Sequence, residues 1–125
     1  MEQGNLIDTN CIIEFANGRL SDKVRIYLSN VLDDQPRISI INKIEILGFS
    51  NPGPVIPELV KMIEIIGLTD EIADETVSIR KAYKIKLPYA IIAATAICNN
   101  LTLITRNAAD FKTIKGLALS NPWDK

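Results

Sequence analysis

Short apolar segments alternate with amphipathic helical patterns along this chain of 125 residues, and no other feature constrains its fold as strongly. The apolar segments span residues 5–7, 37–40, 65–68, 102–105 and 117–119. Short apolar strands separated by helices predict a parallel sheet covered on both faces, with right-handed crossovers. We therefore expect an α/β three-layer sandwich with a mostly parallel central sheet, formed as a single domain over residues 1–125.

The helical segments differ in how much of their surface is apolar. The segment Tyr89–Cys98 is apolar on nearly every face, which predicts a helix at the centre of the fold. A second helix is predicted over 42–49, with Ile44 and Leu47 facing the core, and a third over 58–66.

Histidine is absent from the sequence, and this excludes several kinds of chemistry. Ser-His-Asp and Cys-His nucleophile systems and His-ligated zinc all need an imidazole. The two cysteines are too few for a disulfide framework and suit a reducing compartment. The longest apolar run has nine residues and no secretory leader is recognisable, so we expect a cytoplasmic protein with no membrane span.

The net charge of −1 conceals a strong asymmetry along the chain. Residues 1–79 carry a formal charge of −7 and residues 80–125 carry +6. One interpretation is two oppositely charged solvated faces; the other is a surface that binds a polyanion. The basic residues that we predict to contact a nucleic-acid backbone are Arg80, Lys84, Lys86 and Arg106.

Three carboxylates follow predicted strands, where an open parallel sheet gathers its ligands. They are Asp8, Glu45 and Asp110. Taken singly, each has a structural explanation: Asp8 as a helix N-cap, Glu45 as a solvated helix residue, and Asp110 as a turn residue. Taken together, converging carboxylates repel one another unless a divalent cation neutralises them, and oxygen ligands without His or Cys suit Mg²⁺ or Mn²⁺. Such an ion activates water for attack on a phosphodiester.

Four segments of the sequence form a set with a characteristic order and spacing: L-I-D-T-N at 6–10, S-I-I-N-K-I-E-I-L-G-F at 39–49, K-L-P-Y-A-I-I-A-A-T-A at 86–96 and L-I-T-R-N-A-A-D-F at 103–111. Together they resemble PIN-domain ribonucleases, and most closely the VapC-like toxins of toxin–antitoxin pairs. The resemblance implies a Mg²⁺-dependent (or Mn²⁺-dependent) ribonuclease that forms a homodimer and is silenced by a cognate antitoxin protein. It implies that Asp8, Glu45 and Asp110 are the catalytic and metal-binding residues. It gives supporting roles to Thr9, Asn10, Thr105 and Asn107.

Tyr89 is the one departure from the family pattern, which reads L-P-D where this sequence reads L-P-Y. The missing Asp is a principal metal ligand in that pattern, and a neutral phenol does not replace a short carboxylate. The chain is then either a natural variant with weakened activity or a form disabled by substitution. Two further hypotheses remain: a non-catalytic module that binds RNA or an antitoxin peptide, and a carboxylate-based phosphatase or phospho-acceptor domain.

Overall fold

A computed structural model describes residues 4–49 and 53–124 of the chain. Within these ranges, strands and helices alternate as the sequence predicts. The strands are β1 (Asn5–Ile7), β2 (Arg37–Ser39), β3 (Glu64–Ile66), β4 (Thr102–Ile104) and β5 (Ala118–Ser120). The helices are α1 (Thr9–Asn17), α2 (Asp22–Leu32), α3 (Ile40–Leu47), α4 (Val55–Lys61), α5 (Asp70–Ala82), α6 (Leu87–Cys98) and α7 (Ala108–Phe111), and a 3-10 turn spans Pro122–Asp124.

The strands form one parallel sheet in the order β3-β2-β1-β4-β5. Successive residues of a strand point to opposite faces, so Leu6 lies in one hydrophobic cluster and Ile7 in the other. The first cluster is built against α5 and α6, and the second against α1, α2 and α4. This confirms the expected three layers, and the described sheet is parallel throughout.

Helix α6 is buried along most of its length, as predicted, with Ala90 to Ala96 inside the first cluster. It runs antiparallel to α5, because the Cys98 sulfur at its end lies 3.9 Å from the main-chain oxygen of Glu71 at the start of α5. The last turn of α5 therefore lies beside the first turn of α6. Among residues 4–49 and 53–124, no helix is both long and apolar enough to cross a membrane.

Two details of the predicted helices are wrong. Ile44 and Leu47 of α3 are exposed, and the buried positions are Asn42 and Ile46 instead. The helix begins at Ile40, where the Ser39 side chain caps it, and this start sets which residues face inward. The helix predicted over 58–66 is α4, which ends at Lys61 because the chain enters β3 at Glu64.

Candidate active site

A pocket of about 300 Å³ opens beyond the carboxyl ends of β1 and β2, beside the first turn of α6. Strand β1 is the central strand, and the chain crosses to opposite sides of it, which is where open α/β sheets bind ligands. The residues that line the pocket are Asp8, Thr9, Asn10, Ile13, Glu14, Glu45, Phe49, Tyr89 and Asn107. Two of the three predicted catalytic carboxylates, Asp8 and Glu45, therefore share one pocket.

Asp8 is almost fully buried, with 4% of its surface exposed, and it also caps α1. Its Oδ1 accepts hydrogen bonds from the Thr9 N–H (2.9 Å) and Asn42 Nδ2 (3.1 Å). Its Oδ2 accepts from Thr105 Oγ1 (2.7 Å) and Asn10 Nδ2 (3.3 Å). Burial raises the pKa of the Asp8 carboxyl, and the four hydrogen bonds oppose that rise. An ionised carboxylate accepts about four hydrogen bonds, so this one is fully partnered.

Hydrogen bonds of the Thr9 and Asn42 side chains connect Glu45 to Asp8, and the donor and acceptor of each bond can be assigned. The Asn42 oxygen accepts from the Ser39 N–H at 2.9 Å, so its Nδ2 group must be the donor toward Asp8 and toward Thr9 Oγ1, each at 3.1 Å. Because Thr9 Oγ1 accepts there, its single proton goes to Glu45 Oε1, at 2.7 Å. A directed chain of hydrogen bonds thus holds both carboxylates as acceptors.

Asn42 was not among the predicted site residues, although it is fully buried at the centre of this network. Its position at N3 after a Ser cap is the signal that could have identified it, since that spacing brings the amide back to the strand end.

The predicted supporting residues that follow β4 meet Asp8 from the other side. The Thr105 hydroxyl donates to Asp8 and accepts from the Asn107 N–H at 3.0 Å. Asn10 Nδ2 lies 3.4 Å from the same hydroxyl, and Asn10 Oδ1 accepts from the Arg106 N–H at 3.1 Å. Thr9, Asn10, Thr105 and Asn107 are therefore all in contact with Asp8 or with one of its partners.

Asp110 does not line the pocket. It is exposed on the short helix α7, whose buried residue is the neighbouring Phe111. Asn107 occupies the pocket wall at that end instead.

Tyr89, in contrast, lies in the pocket wall, and its ring meets Phe111 edge to face with 5.7 Å between centroids and 71° between planes. The phenol is therefore wedged between the pocket and the buried core.

Glu14 is a third carboxylate of the pocket wall that the sequence reasoning missed. It lies one helical turn after Asn10 on α1, so both side chains project from the same face of that helix. Its Oε1 accepts from Arg106 Nη1 at 3.3 Å. The helical spacing from Asn10 was the available signal.

The other predicted RNA-contacting residues are exposed near the same edge of the molecule. Arg80 is in the last turn of α5, and Lys84 and Lys86 lie in the segment that leads into α6. Tyr89, in the first turn of α6, lines the pocket. The basic segment that precedes α6 therefore lies at the same edge of the sheet as the pocket.

The pocket offers the kind of ligand atoms that a divalent cation prefers, but too few ligating side chains lie together among the residues that the structure describes. Its carboxylate and amide oxygens are ligands that Mg²⁺ and Mn²⁺ prefer. In the described part of the chain, however, no three Asp, Glu, Cys or His side chains form a group that could hold an ion. Tyr89, which also lines the pocket, adds a phenol and no carboxylate to this set.

Parallel strands flanked by helices, with a carboxylate pocket at their carboxyl ends, define an α/β protein with a polar site at the sheet edge. A match to the PIN domain family covers residues 6–117, and the chain belongs to this family. The resemblance drawn from the four sequence segments is thereby confirmed.

Solved structures with this fold include toxin–antitoxin assemblies. The chain is 34% identical to one in a toxin–antitoxin complex from Klebsiella pneumoniae, covering 95% of this chain and 98% of that one with a TM-score of 0.79. DNA-bound VapBC from Salmonella typhimurium (19% identity, 97% and 99% covered, TM-score 0.76) shares the fold. So does FitAcB from Neisseria gonorrhoeae (23% identity, 96% and 99% covered, TM-score 0.77). Comparison with curated proteins gives no match.

Proposed function

We propose that this chain is the toxin of a toxin–antitoxin pair, a PIN-domain endoribonuclease whose metal-dependent cleavage is impaired by Tyr89. The observation that carries the proposal is the pocket in which buried Asp8 is joined to Glu45 through Thr9. The 34% identity to a chain of the Klebsiella pneumoniae toxin–antitoxin complex supports the toxin assignment.

Asp8 and Glu45 are the residues that would hold Mg²⁺ or Mn²⁺ in this pocket, with Asn107 in reach of the same space. When bound, the ion supplies positive charge that stabilises the charge developing on a phosphodiester. The hydrogen bonds from Thr9, Asn42 and Thr105 keep the two carboxylates oriented before any ligand arrives. Asp110 stays a predicted ligand that lies outside the pocket wall.

Tyr89 impairs this site for two reasons. The phenol contributes no negative charge at neutral pH, whereas the family's Asp would contribute one at the start of α6. The ring also fills space between the pocket and Phe111, and Mg²⁺ tolerates little distortion of its octahedral shell.

The proposed partners follow from the same assignment. They are RNA as substrate and a cognate antitoxin protein as inhibitor, with a second copy of the chain as homodimer partner. We further propose that residues 1–125 act as one domain in the cytoplasm.

The test restores the carboxylate. We expect Tyr89→Asp to raise Mg²⁺-dependent or Mn²⁺-dependent cleavage of a fluorogenic RNA at least about tenfold, since each ~1.4 kcal/mol of transition-state stabilisation is a factor of ten. Tyr89→Phe is the matched control: it retains the ring against Phe111, removes the hydroxyl, and should remain as inactive as the parent. EDTA should abolish the gain.

A non-catalytic binding module is the second candidate, favoured by the full hydrogen bonding of Asp8. It would lead if Tyr89→Asp folded and bound the metal yet cleaved no RNA, while RNA or antitoxin binding persisted. The phospho-acceptor hypothesis loses support, because a saturated, buried carboxylate is a poor nucleophile for phosphoryl transfer.

A further inference from the structure

Arg106 makes three contacts at the rim of the pocket, two of them with the lining residues Asn10 and Glu14. It follows β4 and Thr105, and its main-chain N–H donates to Asn10 Oδ1 at 3.1 Å. Its Nη1 donates to Glu14 Oε1 at 3.3 Å, one turn further along α1. Its guanidinium carbon lies 4.8 Å from the centroid of the Trp123 ring. The guanidinium therefore has an aromatic face on one side and a pocket-wall carboxylate at its end.

The C-terminal turn that carries Trp123 is itself bound to Arg106. Asn121 Nδ2 donates to the Arg106 main-chain oxygen at 3.2 Å, and Asn121 Oδ1 accepts from the Trp123 N–H at 3.0 Å. Pro122 is buried, and the Trp123 ring is half-buried against the second hydrophobic cluster. The aromatic face is thus a fixed support, and the arginine side chain is the part that can exchange partners.

The bond between Arg106 and Glu14 is suited to exchange. Their side chains are 50% and 36% exposed, and ion pairs at such positions contribute little to stability. A backbone phosphodiester carries one negative charge, as a carboxylate does, and its two non-bridging oxygens match the planar guanidinium with two parallel hydrogen bonds. The cation–π contact with the Trp123 ring keeps the guanidinium in place while the partner changes.

We propose that Arg106, supported by Trp123, is a phosphate clamp at the pocket rim, and that Glu14 occupies the clamp until an RNA phosphate displaces it. This inference rests on the proposed function, because it takes RNA as the ligand. Glu14 is then a built-in competitor of the substrate, and Trp123 supports the clamp as well as packing on the core.

This competition predicts how substitutions at Glu14 and Arg106 change the affinity for RNA. Removing the Glu14 charge should tighten RNA binding by about threefold to fivefold, the range expected from releasing an exposed ion pair. Arg106→Gln should weaken binding, and Glu14→Gln should have no effect in the Arg106→Gln background, since the competitor then has nothing to compete for. The measurement is fluorescence anisotropy of a labelled single-stranded RNA with the full chain in EDTA, which prevents cleavage.

Trp123 provides an independent readout because it is the only tryptophan of the chain. RNA should change its emission in the parent and in Glu14→Gln. Arg106→Lys keeps the charge but loses the planar guanidinium over the Trp123 ring, so it should retain part of the affinity and lose most of the emission change. Polyglutamate should compete weakly; competition as strong as that of RNA would make the clamp a site for a partner's carboxylates and overturn the proposal.

Glu58→Gln is the matched control, because it releases Lys61 from a comparable exposed ion pair of 3.1 Å on α4. An equal gain in affinity from Glu58→Gln, or a Glu14→Gln gain that persists without Arg106, would reduce the effect to net charge and overturn the clamp. RNA binding that is unchanged in Arg106→Gln would overturn it while leaving the proposed function intact. Absence of RNA binding in every variant would overturn both.

Discussion

Two features of the Asp8 environment have opposite effects on the pKa of its carboxyl. Burial raises its pKa and so disfavours the charged form, whereas four donors arranged around its two oxygens favour that form. The Asn10 amide makes the longest of the four contacts, at 3.3 Å, and would be the donor to give way if Asp8 held a divalent cation.

We predict weak binding of Mn²⁺ or Mg²⁺ that depends on Asp8. Asp8→Ala should lower the affinity at least about tenfold, or ~1.4 kcal/mol, because a charged oxygen ligand is lost. Isothermal titration calorimetry of the two proteins measures the difference, with Asp22→Ala on the exposed side of α2 as the control. Equal affinity of the chain and its Asp8→Ala variant would contradict the assignment.

The raised pKa of Asp8 also predicts how stability depends on pH. A group whose pKa is higher in the folded protein favours folding when protonated, and this contribution is lost as the pH rises above its unfolded value of 3.8 and through the folded pKa. The unfolding free energy of the parent, measured by urea denaturation relative to the non-titrating Asp8→Asn variant, should therefore fall over that interval. A relative stability that grows with pH would mean that the hydrogen bonds outweigh burial.

Helix α3 shows where patterns of apolar residues mislead. Its inward face contains Asn42 and Ile46, both fully buried, while the apolar Ile44 and Leu47 face solvent. Ile46→Ala should cost ~2–5 kcal/mol of unfolding free energy, as for other buried aliphatic residues. Ile44→Ala is the matched control, because Ile44 lies on the exposed face of the same helix. It should lower the unfolding free energy by no more than ~0.5 kcal/mol. Urea denaturation compares them, and equal losses would contradict this placement of α3.

Other elements follow directly from the sequence, and the difference has a physical reason. Helix α6 and the parallel sheet depend on continuous apolar segments, which must be buried wherever the chain places them. Asp8 and Glu45 could be proposed from strand ends and family resemblance. Asn42 and Glu14 could not be found from composition, because each resembles a surface residue until the start of its helix fixes its direction. Helical spacing and capping patterns identify these two residues only once the first residue of each helix is known.

At the scale of the molecule, the charge asymmetry is organised along α5. This helix begins with Asp70 and Glu71 and ends with Arg80 and Lys81, an arrangement that complements the helix dipole. Because α5 and α6 are antiparallel, its basic end lies near the start of α6 and its acidic end lies away from it. Local helix electrostatics therefore account for part of the charge asymmetry and place positive charge near the pocket, while the polyanion-binding surface stays a prediction.

This arrangement predicts RNA binding that depends steeply on salt. Lysines that contact backbone phosphates release counterions, so the affinity should fall strongly between about 50 and 200 mM salt. Lys84→Gln and Lys86→Gln should each weaken binding across RNA sequences and reduce the slope of log K against log salt by ~0.7, the value for one contact to a single strand. Lys23→Gln is the control, since α2 packs on the opposite face of the sheet from α5 and α6. Anisotropy titrations at several salt concentrations measure both quantities. A slope that changes as much in Lys23→Gln as in Lys84→Gln would mean that RNA responds to overall charge, and the basic segment before α6 would lose its role as the binding surface.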